Sequence, residues 1–485
     1  MASLAPASFE EARRLAARVP READAIEYRL DFAPGRISAR ALLDLDPRCA
    51  IVTYRTTREG GKFSGTAEEY RRSVQSAYDA GAVVDVEFES GLLGDEAFLP
   101  DRTRVIGSRH GAALSEARLR ACLGHRVAAA KLVLTDPDNV AEAVACIARA
   151  RRLSRETLIA CFATGARGAV SRAVGLRYGG ALTYGNVAEE TAPGQIPVAE
   201  LVEVYGARDR TPPERLFAVY GGDVTRSLSP AIHNAIFRRR GLPWLYLPLT
   251  ASRPGAPRES PIAADLIALD GLAKNLQGVS VTNPFKTDYA SVARADAQSE
   301  RIGAANTFVR LRPECLDLSA HNTDAAAVRQ GLERLGGSRV LVLGTGGAAR
   351  AAVAAAVGFG KECVVAGRAP GKAAAIAAAF GIASMRIEDV DQARPDVSIN
   401  ATPLGASDGD RLPFPADALG PGRSIIDFVY RRGAETALVR EARERGAKVV
   451  DGLEILARQA AGQAALFGVR DATFEEIDAT LRSRP

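Results

Sequence analysis

Short apolar and β-branched runs alternate with helical stretches along the whole chain, the pattern of an α/β protein. In the first 200 residues the strand runs fall near 24–30, 49–55, 83–88, 104–108, 127–133, 157–162 and 181–185, with a weak eighth at Met1–Ala5. Eight strands with intervening helices predict a (β/α)8 TIM barrel, whose chemistry sits at the C-terminal ends of its strands. The barrel should be slightly trimmed. Its first strand is barely long enough, and the 88–104 crossover is broken by Gly91, Gly94 and Pro100. Gly206–Pro213 is polar and proline-rich and reads as a linker. A second α/β pattern begins at Leu216, with strands near 244–249, 278–282 and 305–310, and a third begins at Arg339 and runs into Gly344. The expected domains are therefore 1–208, 215–322 together with 457–485, and 323–456.

The polar positions inside this pattern are not random. Glu27, Arg29 and Asp31 alternate with Ile26, Tyr28 and Leu30, so a strand places the charges on one face. Arg55 and Glu59, then Asp85 and Glu87, then His110 in Ser108-Arg-His110, then Lys131 after Val127-Ala-Ala-Ala, follow at successive strand ends. Arg172 lies in what reads as a glycine-flanked loop, and Thr191-Ala-Pro-Gly-Gln195 follows the last strand. Charges in a barrel mouth are costly unless they bind one another or a polar substrate. A lysine amine in such a setting, with arginines nearby, can attack a ketone. The iminium then acidifies the adjacent C–H, a histidine moves the proton, Glu59 orients that histidine, and arginines hold a carboxylate. Taken singly, a strand-end lysine or histidine is more often ion-paired or structural; six polar strand ends in succession are poorly explained that way.

In the last third, Gly344-Thr345-Gly346-Gly347-Ala348-Ala349 follows an apolar strand and opens an alanine-rich helix. That context suits a dinucleotide loop, whose glycines let backbone approach a pyrophosphate at a helix N-terminus. Arg368 stands where an NAD-binding acid would, with Lys372 close by, so a 2′-phosphate and hence NADP is the better fit. Upstream, Ser227 and Ser229, Lys286 after a Thr-Asn-Pro turn, Asn306 and Asp324 form an ordered polar set. A lysine–aspartate pair can protonate the alkoxide that hydride delivery creates, without a metal.

Composition narrows the partners. The chain has 485 residues, 25% charged and 47% hydrophobic, with a net charge of +5. That suits anionic small molecules and does not call for nucleic acid. Six cysteines without metal-ligand spacing argue against zinc and against a disulfide framework, and no run is long enough to span a bilayer. The N-terminus lacks the apolar core of a signal peptide, so the expected location is cytoplasmic.

Residues 1–205 resemble type I 3-dehydroquinate dehydratase through Glu27-Tyr-Arg29-Leu-Asp31, Thr53-Tyr-Arg55 with Glu59-Gly-Gly, Asp85-Val-Glu87, Ser108-Arg-His110, Lys131, Ser171-Arg172 and Ala192-Pro-Gly-Gln195. The resemblance implies an imine between Lys131 and the C3 ketone of 3-dehydroquinate. His110, supported by Glu59, would remove a C2 proton and help expel the C1 hydroxyl. Glu27, Arg29, Arg55, Arg172, Thr191 and Gln195 would hold the substrate, with 187–197 as a lid. Residues 216–485 resemble shikimate dehydrogenase through SLSPAIHN, GVSVTNPFK, GAANT, NTD, GTGGAAR, NATPLG, DFVY and GLEILARQ. There Lys286 and Asp324 would be the catalytic pair, and Ser227, Ser229, Thr282, Asn306 and Gln459 would bind 3-dehydroshikimate. Gly344 to Ala348, Arg368, Lys372, Phe428, Tyr430 and Gly452 would bind NADPH. The family's own pattern differs at Arg109, Thr191, Arg226, Ala320, Ala327 and Ile455. Two other readings stay open: a quinate dehydrogenase half using NAD, and one half kept as a non-catalytic sensor.

Overall fold

The computed structural model describes residues 1–112, 114–135, 140–251, 261–273, 275–406 and 409–483. The expected second lobe includes 252–260, 274 and 484–485, which lie outside the described residues. The chain forms two compact units, one of Met1–Glu214 with Leu247–Ser252 and Asp265–Lys274, the other of the remainder.

The first unit is built on eight parallel strands: β1 (Ala2–Leu4), β2 (Ala25–Arg29), β3 (Cys49–Thr53), β4 (Val83–Glu87), β5 (Val105–Gly111), β6 (Ala129–Leu134), β7 (Leu158–Ala163) and β8 (Gly185–Asn186). Their order is β7-β6-β5-β4-β3-β2-β1-β8, so the first strand pairs with the last. The sheet curls until the Ala181 N–H, four residues before β8, reaches the Ile159 carbonyl of β7 at 2.6 Å.

Alternation decides which face each residue takes. Ile26, Tyr28, Val52, Val84, Val86, Ala130 and Leu132 face the helices and join the large apolar cluster there. The inner face begins as a plug of Ala25, Ile51, Ile106 and Ala129. Two residues further along the same strands it becomes Glu27, Thr53, Ser108 and Lys131, all buried. Thus one face is apolar at the barrel's N-terminal end and charged toward its mouth.

The helices fix these strand ends. Helix Ala67–Asp79 opens with a Thr66/Glu69 capping box, a feature typically worth about 1 kcal/mol, and buries Tyr70, Val74, Ala77 and Tyr78. The Tyr70 hydroxyl accepts the Glu87 N–H at 3.1 Å, tying that helix to the end of β4.

One detail bears out the sequence reading and two depart from it. The 88–104 crossover contains short 3-10 turns at Phe88–Ser90, Leu92–Gly94 and Arg102–Arg104 rather than an α-helix, the reduced element expected there. The last barrel strand is only Gly185–Asn186, later and shorter than 181–185. Arg172 is not in a loop but on helix Gly165–Val174, because the glycines at 165 and 168 lie inside that helix instead of flanking a turn.

In the second unit β9 (Arg215–Gly221) is flanked by β10 (Trp244–Thr250), which belongs to this unit as far as Tyr246. Next to β9 come β11 (Leu276–Val281), β13 (Thr307–Arg310), β14 (Leu318–His321) and β12 (Arg294–Ala295). Here β9–β11 and β12–β14 are parallel, while β11–β13 and β13–β14 are antiparallel. Neither β12 nor β14 was expected, since such short segments carry almost no periodicity.

The other sheet is wholly parallel: β15 (Arg339–Leu343), β16 (Glu362–Gly367), β17 (Ala383–Arg386), β18 (Val397–Asn400), β19 (Ser424–Asp427) and β20 (Lys448–Val450). Its order, β17-β16-β15-β18-β19-β20, is doubly wound, with a switch point between β15 and β18. Val340 and Val342 pack into one helix layer and Leu341 and Leu343 into the other, which is why β15 reads as a continuous apolar run. Among the described residues no helix is long and apolar enough to cross a membrane.

Candidate active sites

At the barrel's centre the chain brings four alternate strands to one level. Lys131 on β6 donates from Nζ to Glu27 Oε1 on β2 at 2.7 Å and to Asp85 Oδ2 on β4 at 3.1 Å. The amine also lies over the ring of Tyr184, which leads into β8, 4.2 Å from its centroid. The sequence reading put arginines around this amine; the structure puts two carboxylates there, because β2 and β4 alternate with β6 in the same layer. Burial would raise the Glu27 carboxyl, but Lys131 and Arg29 outweigh it and hold the group at about 2.

Around Glu27, Ser3 donates to the carboxylate at 2.6 Å and meets Thr191 Oγ1 at 2.7 Å, while Thr53 donates to Glu27 at 3.0 Å. Gln195 Oε1 accepts from the Thr191 backbone and hydroxyl at 2.8 and 3.0 Å. Arg29 donates to the Thr191 carbonyl at 3.1 Å, so the expected lid is seated on the mouth. Gly194 makes that seat possible. Its φ is +76°, and a Cβ there would land on the Gly165 carbonyl.

His110 sits two residues beyond Ser108 on the inner face of β5, and Ser108 is Lys131's register partner. Its Nδ1 lies 3.1 Å from Glu59 Oε2, which also accepts the His110 backbone N–H and Arg55 Nη1, each at 3.1 Å. Burial, then the charges of Arg55, Lys131, Arg29 and Arg172, push the His110 imidazole well below its ordinary range, so it is neutral near pH 7. Glu59 moves the other way, to about 7, because burial and nearby Glu87 and Asp85 outweigh Arg55. Neutral imidazole can act as a base, and ionised Glu59 can accept from Nδ1 and steady the imidazolium that forms.

The three expected carboxylate binders differ. Arg29 forms a two-pronged pair with Asp31 at 2.7 and 2.8 Å. Arg55 is held by Asp85, Glu59 and Glu87 at 2.7, 3.1 and 3.3 Å. Arg172 is 1% exposed, stacks 4.1 Å from the Phe162 centroid, and has no carboxylate partner among the described residues. Burial lowers its pKa to about 10, and its Nε has no hydrogen-bond partner among the described residues. Such a guanidinium is poised for an anion. Sequence reasoning overlooked Ser3, Tyr184 and Asn186. Strands of two or three residues are too short to display alternation.

In the second unit Lys286 Nζ donates to Asp324 Oδ2 at 2.6 Å. Asn306 donates to the other oxygen of Asp324 at 2.8 Å, to Thr323 at 3.0 Å and to Gln459 at 3.4 Å. Behind Asn306, Gln463 Oε1 accepts from Ser280 at 2.9 Å and Ser280 accepts from Tyr246 at 2.6 Å, while Gln463 Nε2 donates to the Asn306 main-chain carbonyl at 3.5 Å, so a buried polar chain holds the backbone there. Thr282 follows β11 and leads into the Lys286 turn. Ser229, buried at the start of helix Ser229–Arg239, donates its N–H to Ser227 Oγ at 3.2 Å.

The glycine loop joins this pair to the doubly wound sheet. Helix Gly347–Gly358 starts from Gly346 at the switch point. A Cβ on Gly347 would stand 2.5 Å from the Cβ of Lys286, whereas at Gly346 nothing lies within 4 Å. The loop therefore approaches the lysine on one side and leaves open backbone on the other. That opening fits a pyrophosphate at a helix N-terminus. Arg368 and Lys372 are exposed and enter no ion pair among the described residues, which fits a phosphate beyond the ribose. Phe428 and Tyr430 follow β19, across the switch point from β16, and Gly452 lets helix Gly452–Leu466 pass close beneath the Val429 carbonyl.

A barrel with a buried lysine at its mouth and a doubly wound dinucleotide unit with a lysine–aspartate pair define a lyase class and an oxidoreductase class. The comparisons with known proteins agree. Residues 1–212 match the family described as type I 3-dehydroquinase, and 219–308 match the shikimate dehydrogenase substrate-binding domain. A shikimate dehydrogenase (NADP(+)) of Methanothrix thermoacetophila is 34% identical over 275 residues, covering 56% of this chain and 97% of that protein. The chloroplastic bifunctional 3-dehydroquinate dehydratase/shikimate dehydrogenase of Arabidopsis thaliana is 28% identical over 482 residues, covering 92% of this chain and 77% of that one. A quinate dehydrogenase from Corynebacterium glutamicum, solved with NAD, shares the fold of the second part at a TM-score of 0.50 and 24% identity, covering 56% of this chain and all of that one. The chain belongs to the shikimate dehydrogenase family, with a type I 3-dehydroquinase in front of it.

Proposed function

We propose that this chain dehydrates 3-dehydroquinate to 3-dehydroshikimate in the barrel and reduces that product to shikimate with NADPH in the second unit. Lys131 attacks the C3 ketone and forms the imine, the ketone oxygen leaving as water, with Glu27 and Asp85 receiving and returning the lysine proton; water hydrolyses the imine after elimination. His110 takes the C2 proton and delivers one to the departing C1 hydroxyl, and Glu59 orients it. Arg172 binds the substrate carboxylate. Arg29, Arg55, Thr191 and Gln195 form the polar wall and lid. In the second reaction the nicotinamide supplies the hydride. Lys286 and Asp324 protonate the new alkoxide, Asn306, Gln459, Thr282, Ser227 and Ser229 hold the substrate hydroxyls and carboxylate, and Arg368 with Lys372 holds the 2′-phosphate.

The domain limits proposed are 1–208, 215–322 with 457–485, and 323–456. All six thiols are unpaired, which supports a reducing, cytoplasmic setting. The observation that carries the reading is the coexistence of two complete lysine sites, one on Glu27 and Asp85 and one on Asp324 beside the Gly347 loop.

The test is NADPH absorbance with purified chain and 3-dehydroquinate alone. Loss of signal needs both sites in sequence. Activity only with added 3-dehydroshikimate would refute the barrel half, and preference for NADH would refute the Arg368 assignment.

A further inference from the structure

Tyr184 is buried, at 1% exposure, in the Lys131 layer, where it carries no charge and has no role in the reaction described so far. Its ring faces Lys131 Nζ at 4.2 Å and packs against Phe162 at 5.9 Å. Among the described residues its hydroxyl has no hydrogen-bond partner, and neither does Asn186 Oδ1, two residues on along the same inward face. Leaving a phenol oxygen unpaired in the interior costs about 1–3 kcal/mol, which a phenylalanine at this position would avoid. Burial, then the charges of Glu27 and Asp85, pushes its pKa well above the ordinary range, so the group remains a proton donor.

We propose that Tyr184 is a specificity-determining residue of the dehydratase site, donating a hydrogen bond to the substrate hydroxyl on the carbon beside the reacting ketone. This rests on Lys131 forming the imine. Because the amine lies over the ring face, the phenol oxygen sits to its side, too far to bond the nitrogen itself. A hydroxyl one carbon from the imine carbon bridges that gap. In 3-dehydroquinate this is the C4 hydroxyl. A site built to pair a substrate hydroxyl discriminates strongly against an analogue lacking it, since its own polar group is then left unpaired.

The experiment uses the full chain and its Tyr184→Phe variant with 3-dehydroquinate and with an analogue lacking the C4 hydroxyl. Dehydration is followed by enone absorbance, and the imine is trapped with borohydride and located by mass. The expected result is a loss of about three- to tenfold in kcat/KM on 3-dehydroquinate and little or none on the analogue. A merely structural role would reduce both substrates by the same factor, and that outcome, or no loss on 3-dehydroquinate, overturns the proposal. Dehydrogenase activity of the variant on 3-dehydroshikimate checks folding. Trapping at Lys131 with equal losses sinks the Tyr184 role alone; no trapping in the parent chain sinks the imine reading and this proposal with it.

Discussion

Replacing Lys131 with methionine removes the buried cation but keeps most of its volume, leaving Glu27 and Asp85 facing each other without the ammonium that bonds them at 2.7 and 3.1 Å. Holding Glu27 at about 2 rather than 4.5 corresponds to roughly 3 kcal/mol in favour of its ionised form. Breaking a buried ion pair from one side costs a similar ~3–5 kcal/mol. In the parent chain the Glu27 carboxyl is depressed, so its contribution is present above the ordinary carboxylate pKa and is lost as pH falls toward 2. In the variant burial prevails and raises that carboxyl, so the sign inverts: the barrel should regain stability as pH falls from 7 toward 5. The assay exploits the single tryptophan, Trp244, which belongs to the second unit. Urea unfolding followed by far-UV circular dichroism should show an early barrel transition, while tryptophan fluorescence should keep its parent midpoint. Dehydration and borohydride trapping should vanish, and reduction of 3-dehydroshikimate should persist. An equal fall in both activities, or a barrel whose stability is unchanged at pH 7, would overturn this role for Lys131.

Asp324→Asn should lower the dehydrogenase kcat by about 10²–10⁴ with NADPH binding nearly unchanged, because the lost group moves a proton and does not touch the dinucleotide; steady-state kinetics and fluorescence titration separate the two. Gly347→Ala places a methyl against Lys286 Cβ, so both the NADPH KM and kcat of the dehydrogenase should suffer while barrel turnover stays at the parent rate. The pH profile of dehydration should bend near 7, where Glu59 titrates, and Glu59→Gln should abolish that bend. A bend that survives the substitution would assign the titration to another group.

Much of the barrel was legible because its chemistry repeats the strand period. Glu27 and Arg29 announce a face on their own, while Lys131 and His110 read as strand ends, although Lys131 lies in the middle of Ala129–Leu134. The doubly wound sheet was equally plain, since a five-residue apolar strand feeding Gly344 and Gly346 has few alternatives. What pattern could not give was which charge meets which. Lys131 meets Glu27 and Asp85, 104 and 46 residues away in sequence, through the alternate-strand layering of a closed sheet. Arg172 stands apart from Arg29, which is claimed by Asp31 two residues on, and from Arg55, which is claimed by Asp85 through the register of β3 against β4. Ser3 and Tyr184 enter the site from strand ends too short to show any period. The elements, the two chemistries and most of their residues were legible along the chain, because period and turn chemistry are local. The partners, the titration of His110 and Glu59, and the unpaired hydroxyl of Tyr184 came with the folded arrangement, because burial and Coulomb interactions depend on distances between residues far apart in the chain.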